Sequence, residues 1–135
     1  MKLKLRPILA AMLGLAAVAA CGSLALTDTL NSFRHAHGLA PLQHSRAMQA
    51  MAQSHANSMA ARYSMDHDGF YTQRAPRGAR AENVAWGCPT ASCVMKVWEE
   101  SAGHRANMLR SDVHSYGLAS AARGGRRYWC LELGR

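Results

Sequence analysis

The feature that most restricts this chain is a thirteen-residue run, Ile8 to Ala20, in which only small and apolar residues occur. The run is shorter than the roughly 20 residues that a membrane-spanning helix needs. Lys2, Lys4 and Arg6 precede it, and small residues close it at Ala19-Ala20. A basic start, a short apolar core and a small-residue end are the order of a signal peptide. Segment 1–20 is therefore expected to direct export and to be removed, so the fold has to be built from residue 21 onward.

The sequence Val18-Ala19-Ala20-Cys21 resembles the lipobox of bacterial lipoproteins, in which a peptidase cuts before a lipidated cysteine. Cys21 is then the first mature residue and carries a lipid anchor; ordinary signal cleavage nearby, or an uncleaved anchor, are the competing readings. Gly22 stands where an aspartate often signals inner-membrane retention, so the outer membrane is the expected destination in a Gram-negative cell. Residues 21–26 read as a short tether. The remainder, 27–135, has room for a single core and a single domain.

Removing 1–20 takes away three of the sixteen basic residues and none of the eight acidic ones, so the net charge falls from +8 to +5 with histidines neutral. Lys96 is the only lysine left. The arginines are scattered, without an aromatic-interleaved basic stripe, and an exported chain is not expected to meet nucleic acid. Export does allow disulfides. Cys88, Cys93 and Cys130 predict one disulfide and one buried thiol, with all three pairings open. Cys-x4-Cys is not the Cys-x2-Cys of a zinc knuckle, and no fourth soft ligand stands nearby.

Thr27-Asp28 can cap a first helix over about 28–37, stopped by Gly38 and the Pro41 connection. A second helix starts near Ser45, with Met48, Met51, Ala52, His55 and Met59 on one face. His55 on that stripe reads as a buried histidine satisfied by one hydrogen bond. Residues 64–81 read as a long loop with function-like residue choice. Glu82 to Gly87 is a short extended segment. Pro89-Thr90 opens a third helix with Val94, Val97 and Trp98 on its apolar face, and 103–109 is a further helical turn. Two strands, Tyr116 to Ala121 and Arg127 to Leu133, flank the glycine turn 123–126. Helices first and paired strands last predict an α+β fold. Trp86, Trp98 and Trp129 read as core.

Four pieces stand in the order found in bacterial SCP-like domains: Asn31 to Leu42 (Asn-x-x-Arg-x-x-x-Gly-Leu-x-x-Leu), His67-Asp68-Gly69, Glu82-Asn83-Val84-Ala85, and Trp98 to Leu109 (Trp-x-x-Ser-x-Gly-His-Arg-x-Asn-Met-Leu). On these motifs the chain resembles the CAP superfamily of cysteine-rich secretory proteins, antigen 5 and pathogenesis-related 1 proteins, over nearly all of 27–134. The resemblance implies a three-layer α-β-α sandwich with a small antiparallel sheet. It also implies a cleft in which His67, Glu82 and His104 match three of the two histidines and two glutamates of many members. Ser101 occupies the position of the second glutamate. Glu100 is adjacent but turned by about 100 degrees on a helix. Asn83 and Asn107 read as loop-fixing side chains that bond backbone groups, and Arg105 as a residue that closes its turn, with a carboxylate partner as the alternative.

Two imidazoles and a carboxylate can hold a zinc ion with an open position for water, or form a metal-free network that fixes imidazole tautomers. Neither the i, i+4 histidine pair of a helix-borne zinc protease nor a Gly-x-Ser-x-Gly elbow is present. No cofactor is required by this reading, with zinc at His67, Glu82 and His104 as the alternative. The expected function is a non-enzymatic, lipid-anchored envelope module that binds a lipid, glycan or envelope protein. The alternative is a metal-dependent hydrolase of envelope polymers, with Glu82 as ligand or base.

Overall fold

The protein was analysed as a computed structural model that describes residues 21–135, with side chains from residue 29 onward. The expected signal segment 1–20 and the side chain of Cys21 lie outside the described residues.

Helix α1 (Cys21–Ala36) begins earlier than the expected 28–37 and runs through 21–26, the segment assigned as a tether. That segment contains one glycine and no proline to break a helix. Gly38, at φ 73°, ends α1 with its N–H on the His35 carbonyl. Asn31 then fastens the outgoing chain, donating to the Leu42 carbonyl and accepting from the Leu42 N–H. Arg34 goes further. Buried at 2 % exposure, it donates to the carbonyls of Ala40, Met108 and Arg110, which locks α1 to the far end of the chain's last helix.

A two-residue strand β1 (Gln43–His44), too short to leave a pattern in the sequence, precedes α2 (Arg46–Arg62). Ser45 caps α2 by accepting from the Met48 N–H at 3.3 Å. Strand β2 (Ala79–Trp86), helices α3 (Ala91–Glu100) and α4 (Ala102–Met108), and strands β3 (Ser115–Arg123) and β4 (Arg126–Gly134) complete the order. Thr90 caps α3 through the Cys93 N–H. The buried side of α3 is Val94, Met95 and Trp98; Val97, expected on that face, is 45 % exposed because Met95 takes its place in the core.

The sheet order is β1-β3-β4-β2, with β1 parallel to β3 and the other pairs antiparallel. Gly124 and Gly125, both at positive φ, form the two-residue hairpin turn between β3 and β4. Side chains alternate across the sheet. Val84, Ala119, Tyr128 and Cys130 pack with Ala52, Ala56 and Met59 of α2 on one face. Ala81, Ala85, Trp129, Leu131 and Leu133 pack with Leu30, Val94, Met95, Trp98 and Met108 on the other. The result is the expected α+β sandwich of three layers, α2 against one face and α1, α3 and α4 against the other. Gly117 permits the close approach of α2, since a Cβ there would overlap the backbone of Met48 and Gln49.

Cys88 and Cys93 form the disulfide, bridging the start of α3, while Cys130 is a buried free thiol. Trp98 and Trp129 are core residues that donate to the carbonyls of Val84 and Cys88. Trp86 is not core. It sits at the end of the edge strand β2, 47 % exposed, with the Arg126 guanidinium 3.6 Å from its ring centroid. Among the described residues no helix is long and apolar enough to cross a membrane.

Candidate functional site

The site begins where α2 ends. Tyr63 adopts a left-handed conformation, and Arg62 reaches forward with two nitrogens to the Asp66 carboxylate at 2.9 and 3.1 Å. Ser64 donates to the same carboxylate, which in turn accepts the Asp68 N–H. Asp66 is held at a pKa of about 2, mainly by the Arg62 hydrogen bond and against the opposing effect of burial. This knot fixes the turn that presents His67. Gly69, at φ 77°, then starts a π-helical turn, Phe70–Arg74, followed by a 3-10 turn, Ala75–Arg77. The expected loop 64–81 is thus partly helical, and β2 begins inside it at Ala79.

The turn delivers Arg74 to a pair of acids. Glu82 on β2 and Glu132 on β4 are register partners on the α2 face, at 5 % and 0 % exposure. Arg74 Nε lies 2.6 Å from Glu82 Oε2 and 2.9 Å from Glu132 Oε1. His67 Nδ1 lies 2.7 Å from Glu82 Oε1, so both oxygens of Glu82 are held. One guanidinium cannot balance two buried carboxylates. Burial, followed by the hydrogen bond and charge of Glu82, pushes Glu132 up to about 9. Burial also opposes ionisation of Glu82, but hydrogen bonds from Glu132, Arg74 and His67 overcome it and hold its pKa below the ordinary value. At neutral pH the set therefore holds an ionised Glu82, a protonated Glu132 and a cationic Arg74. The Cys130 thiol touches both acids, at 3.8 and 3.6 Å. Burial and then the Glu132 and Glu82 charges drive its pKa well up, which makes it a poor nucleophile.

His55 is buried and bonded to the Asp66 carbonyl at 2.7 Å, with Glu82 Oε1 3.8 Å away. His104, near the start of α4, is bonded through Nδ1 to Ser101 Oγ at 2.9 Å. Ser101, at the second-glutamate position, thus serves as a hydrogen-bonding partner of the histidine. Burial, and secondarily the charge of His67, lowers the His104 pKa. Asn83 donates to the His104 carbonyl, and Asn107 donates to the Glu82 carbonyl and to Asn83 Oδ1, tying α4 to β2. Arg105 lies over the Phe33 ring and bonds His37, which ties α4 to α1.

His67 and Glu82 are brought together, while His104 does not converge with them. Among the described residues, the one group of three ligand atoms within 4.8 Å of one another is Glu82, Cys130 and Glu132. The Arg74 guanidinium already occupies the cationic position between those carboxylates, and the thiol resists deprotonation. Neither set fits a resident zinc ion: in the first, the ligand atoms of His67, Glu82 and His104 do not all lie within 4.8 Å of one another, and in the second the cation is an arginine.

Sequence reasoning missed Glu132, Cys130 and Arg74 as parts of the site. The signal available for Glu132 was an acid in the middle of an otherwise apolar strand, where a charge demands a partner. Over the His67–Glu82 pair opens a cavity of about 370 Å³, walled by His67, Phe70, Tyr71, Arg80, Asn107 and Arg110. A second cavity, about 330 Å³, lies between α2 and the 68–77 turns, next to His55 and Arg62.

Comparison with protein families matches residues 27–133 to the cysteine-rich secretory protein family, CAP. No curated protein matches the sequence. Among solved structures, an outer surface protein of Borrelia burgdorferi superposes with a TM-score of 0.72 at 14% identity, covering 87% of this chain and 95% of that one. An extracellular SCP-domain protein of Bacillus anthracis gives 0.68 at 23% identity, and a cysteine-rich secretory protein of Staphylococcus aureus gives 0.65 at 20%. These two comparisons cover 83% and 87% of this chain, but only 39% and 41% of the Bacillus and Staphylococcus chains.

Proposed function

The chain belongs to the cysteine-rich secretory protein (CAP) family, and from that premise we propose that it is an exported, lipid-anchored module of the bacterial envelope that binds a ligand without transforming it. The observation that carries the reading is the state of Glu82. A general base needs a free oxygen within reach of a substrate proton. Glu82 is buried, and its two oxygens are taken by His67 and Arg74. The residue best placed for acid–base chemistry by sequence is therefore part of the scaffold, while the cavity above it stays open to a ligand.

Export and anchoring rest on the 1–20 segment and on Val18-Ala19-Ala20-Cys21; export also agrees with the outer-surface and extracellular descriptions of the Borrelia and Bacillus structures. The partner classes are a membrane, through the lipid on Cys21, and a lipid, glycan or envelope protein at the cleft.

Two experiments test this. In cells fed labelled palmitate, the full chain should take up label and Cys21→Ser should not; equal labelling of the variant overturns the anchor. The full chain, purified in detergent, should bind a component of envelope extract and return it chemically unchanged by mass spectrometry. Turnover of an envelope polymer that disappears in His67→Ala would establish the hydrolase instead.

A further inference from the structure

The walls of the 370 Å³ cavity carry one group that nothing among the described residues satisfies. Arg80, on β2, is half-buried, its Nε has no hydrogen-bond partner, and no carboxylate pairs with its guanidinium. Arg110 beside it differs, with Nε and Nη2 both on Asp112. Of the two arginines on the walls, Arg80 is thus the uncompensated positive charge. A guanidinium left in this condition is matched by a planar or tetrahedral oxyanion.

The other walls describe what carries that anion. The Tyr71 ring is 85 % exposed and meets Phe70 in a T-shaped contact, their centroids 5.2 Å apart, so most of the ring is open rather than packed. His67 Nδ1 is bonded to Glu82, which leaves the Nε2 edge of a ring more than half exposed free to meet a ligand. Asn107 spends its Nδ2 on Glu82 and Asn83, which leaves its oxygen as an acceptor. An inorganic anion offers no face to an aromatic ring, and an acyl chain offers nothing to either polar group. A sugar ring has hydroxyls that donate and a C–H face that stacks. The volume lies within the range of small-ligand pockets, roughly 300–1,000 Å³.

We infer that the cavity formed by Arg80, Tyr71, His67 and Asn107 is a binding site for an acidic saccharide unit, with Arg80 on its carboxylate or phosphate and Tyr71 beneath its ring. The inference rests on the binding-module reading and names its ligand class. Arg80 selects charge, Tyr71 selects the ring, and His67 and Asn107 meet its hydroxyls.

The test is calorimetric titration of the detergent-solubilised full chain with glucuronate, glucose 6-phosphate, glucose and inorganic phosphate, for wild type, Arg80→Gln and Tyr71→Ala. Glucuronate or glucose 6-phosphate should bind at least tenfold more tightly than glucose or phosphate, and whichever of the two is tighter identifies the anion as carboxylate or phosphate. Arg80→Gln should weaken the acidic sugar tenfold or more, and Tyr71→Ala should weaken it severalfold without changing the response to phosphate. Equal binding of glucose and glucuronate, affinity unchanged in Arg80→Gln, or phosphate bound as tightly as the sugar phosphate overturns the inference. Failure of all four probes, while an envelope component still binds unchanged, overturns this ligand class and leaves the module standing; turnover of an envelope polymer removes the module itself.

Discussion

The two sides of Glu82 are built on opposite principles. On the buried side, Arg74 lies between Glu82 and Glu132 so that the charges cancel, with one oxygen of Glu132 left without a hydrogen-bond partner. On the open side, centred on Arg80 and Tyr71, a cation is left without a counter-ion and an aromatic ring is largely exposed. Both sides use the same two pieces of chain, the 64–77 turns and β2. A buried arginine between two acids stabilises those turns only while all three members are present, so that side is a support. A site that meets a ligand has to be open to it and to carry a charge without a counter-ion, which is why the open side is the one proposed to bind.

The comparison breaks most visibly at Arg74. Replacing it with methionine leaves two carboxyls in the core without their cation, and loss of one partner from a buried pair costs about 3–5 kcal/mol. Chemical denaturation of the full chain in mild detergent should show a loss of that size, increasing above neutral pH as protonation of the second acid becomes harder. A loss under about 1 kcal/mol, the range of exposed pairs, would mean that the buried set is no support at all.

Glu132 gives the next effect, and its sign depends on pH. Its folded pKa, about 9, lies above the 4.5 of a free carboxyl. The native state thus keeps a proton that the unfolded chain releases, so the stability from this group is complete below about pH 4.5 and is lost as pH rises toward 9. Glu132→Gln removes that titration and retains a hydrogen-bond donor. The variant should equal wild type near pH 5 and exceed it progressively toward pH 8, by up to about 4 kcal/mol. A difference that does not change across that window would show that Glu132 is not the proton carrier.

The fold was legible because its elements leave periodic traces. The capped α2 stripe, the glycine hairpin and the alternating strands β3 and β4 are local patterns. The strand β1 left no trace because it has two residues and is held by parallel pairing to a strand some seventy residues away. Val97 and Trp86 have apolar side chains, and only tertiary packing decides that they stay exposed. The His67–Glu82 pair was legible through family motifs, whereas Arg74 was hidden in a run of arginines that sequence alone cannot rank. Its role comes from the π-helical turn after Gly69, a conformation without a sequence period, which carries it onto Glu82 and Glu132.

His67 is where the two sides touch, and it offers the finest distinction between them. Its Nδ1 belongs to the Glu82 set, while its exposed edge lines the cavity. Through space it also reaches His104, whose pKa is lowered first by burial and then by the His67 charge. Removing that charge in His67→Gln should raise the His104 midpoint in a proton NMR titration, while burial keeps it below 6.5. The Ser101–His104 bond should persist, because it lies on α4 and its cap and does not involve Glu82. If the midpoint stays where it is, the two histidines are electrostatically separate, and the open side consists of the Arg80 cavity without any contribution from His104. If it rises, a charged ligand in the cavity will be felt at His104 as well, which gives that resonance a use as a reporter of occupancy.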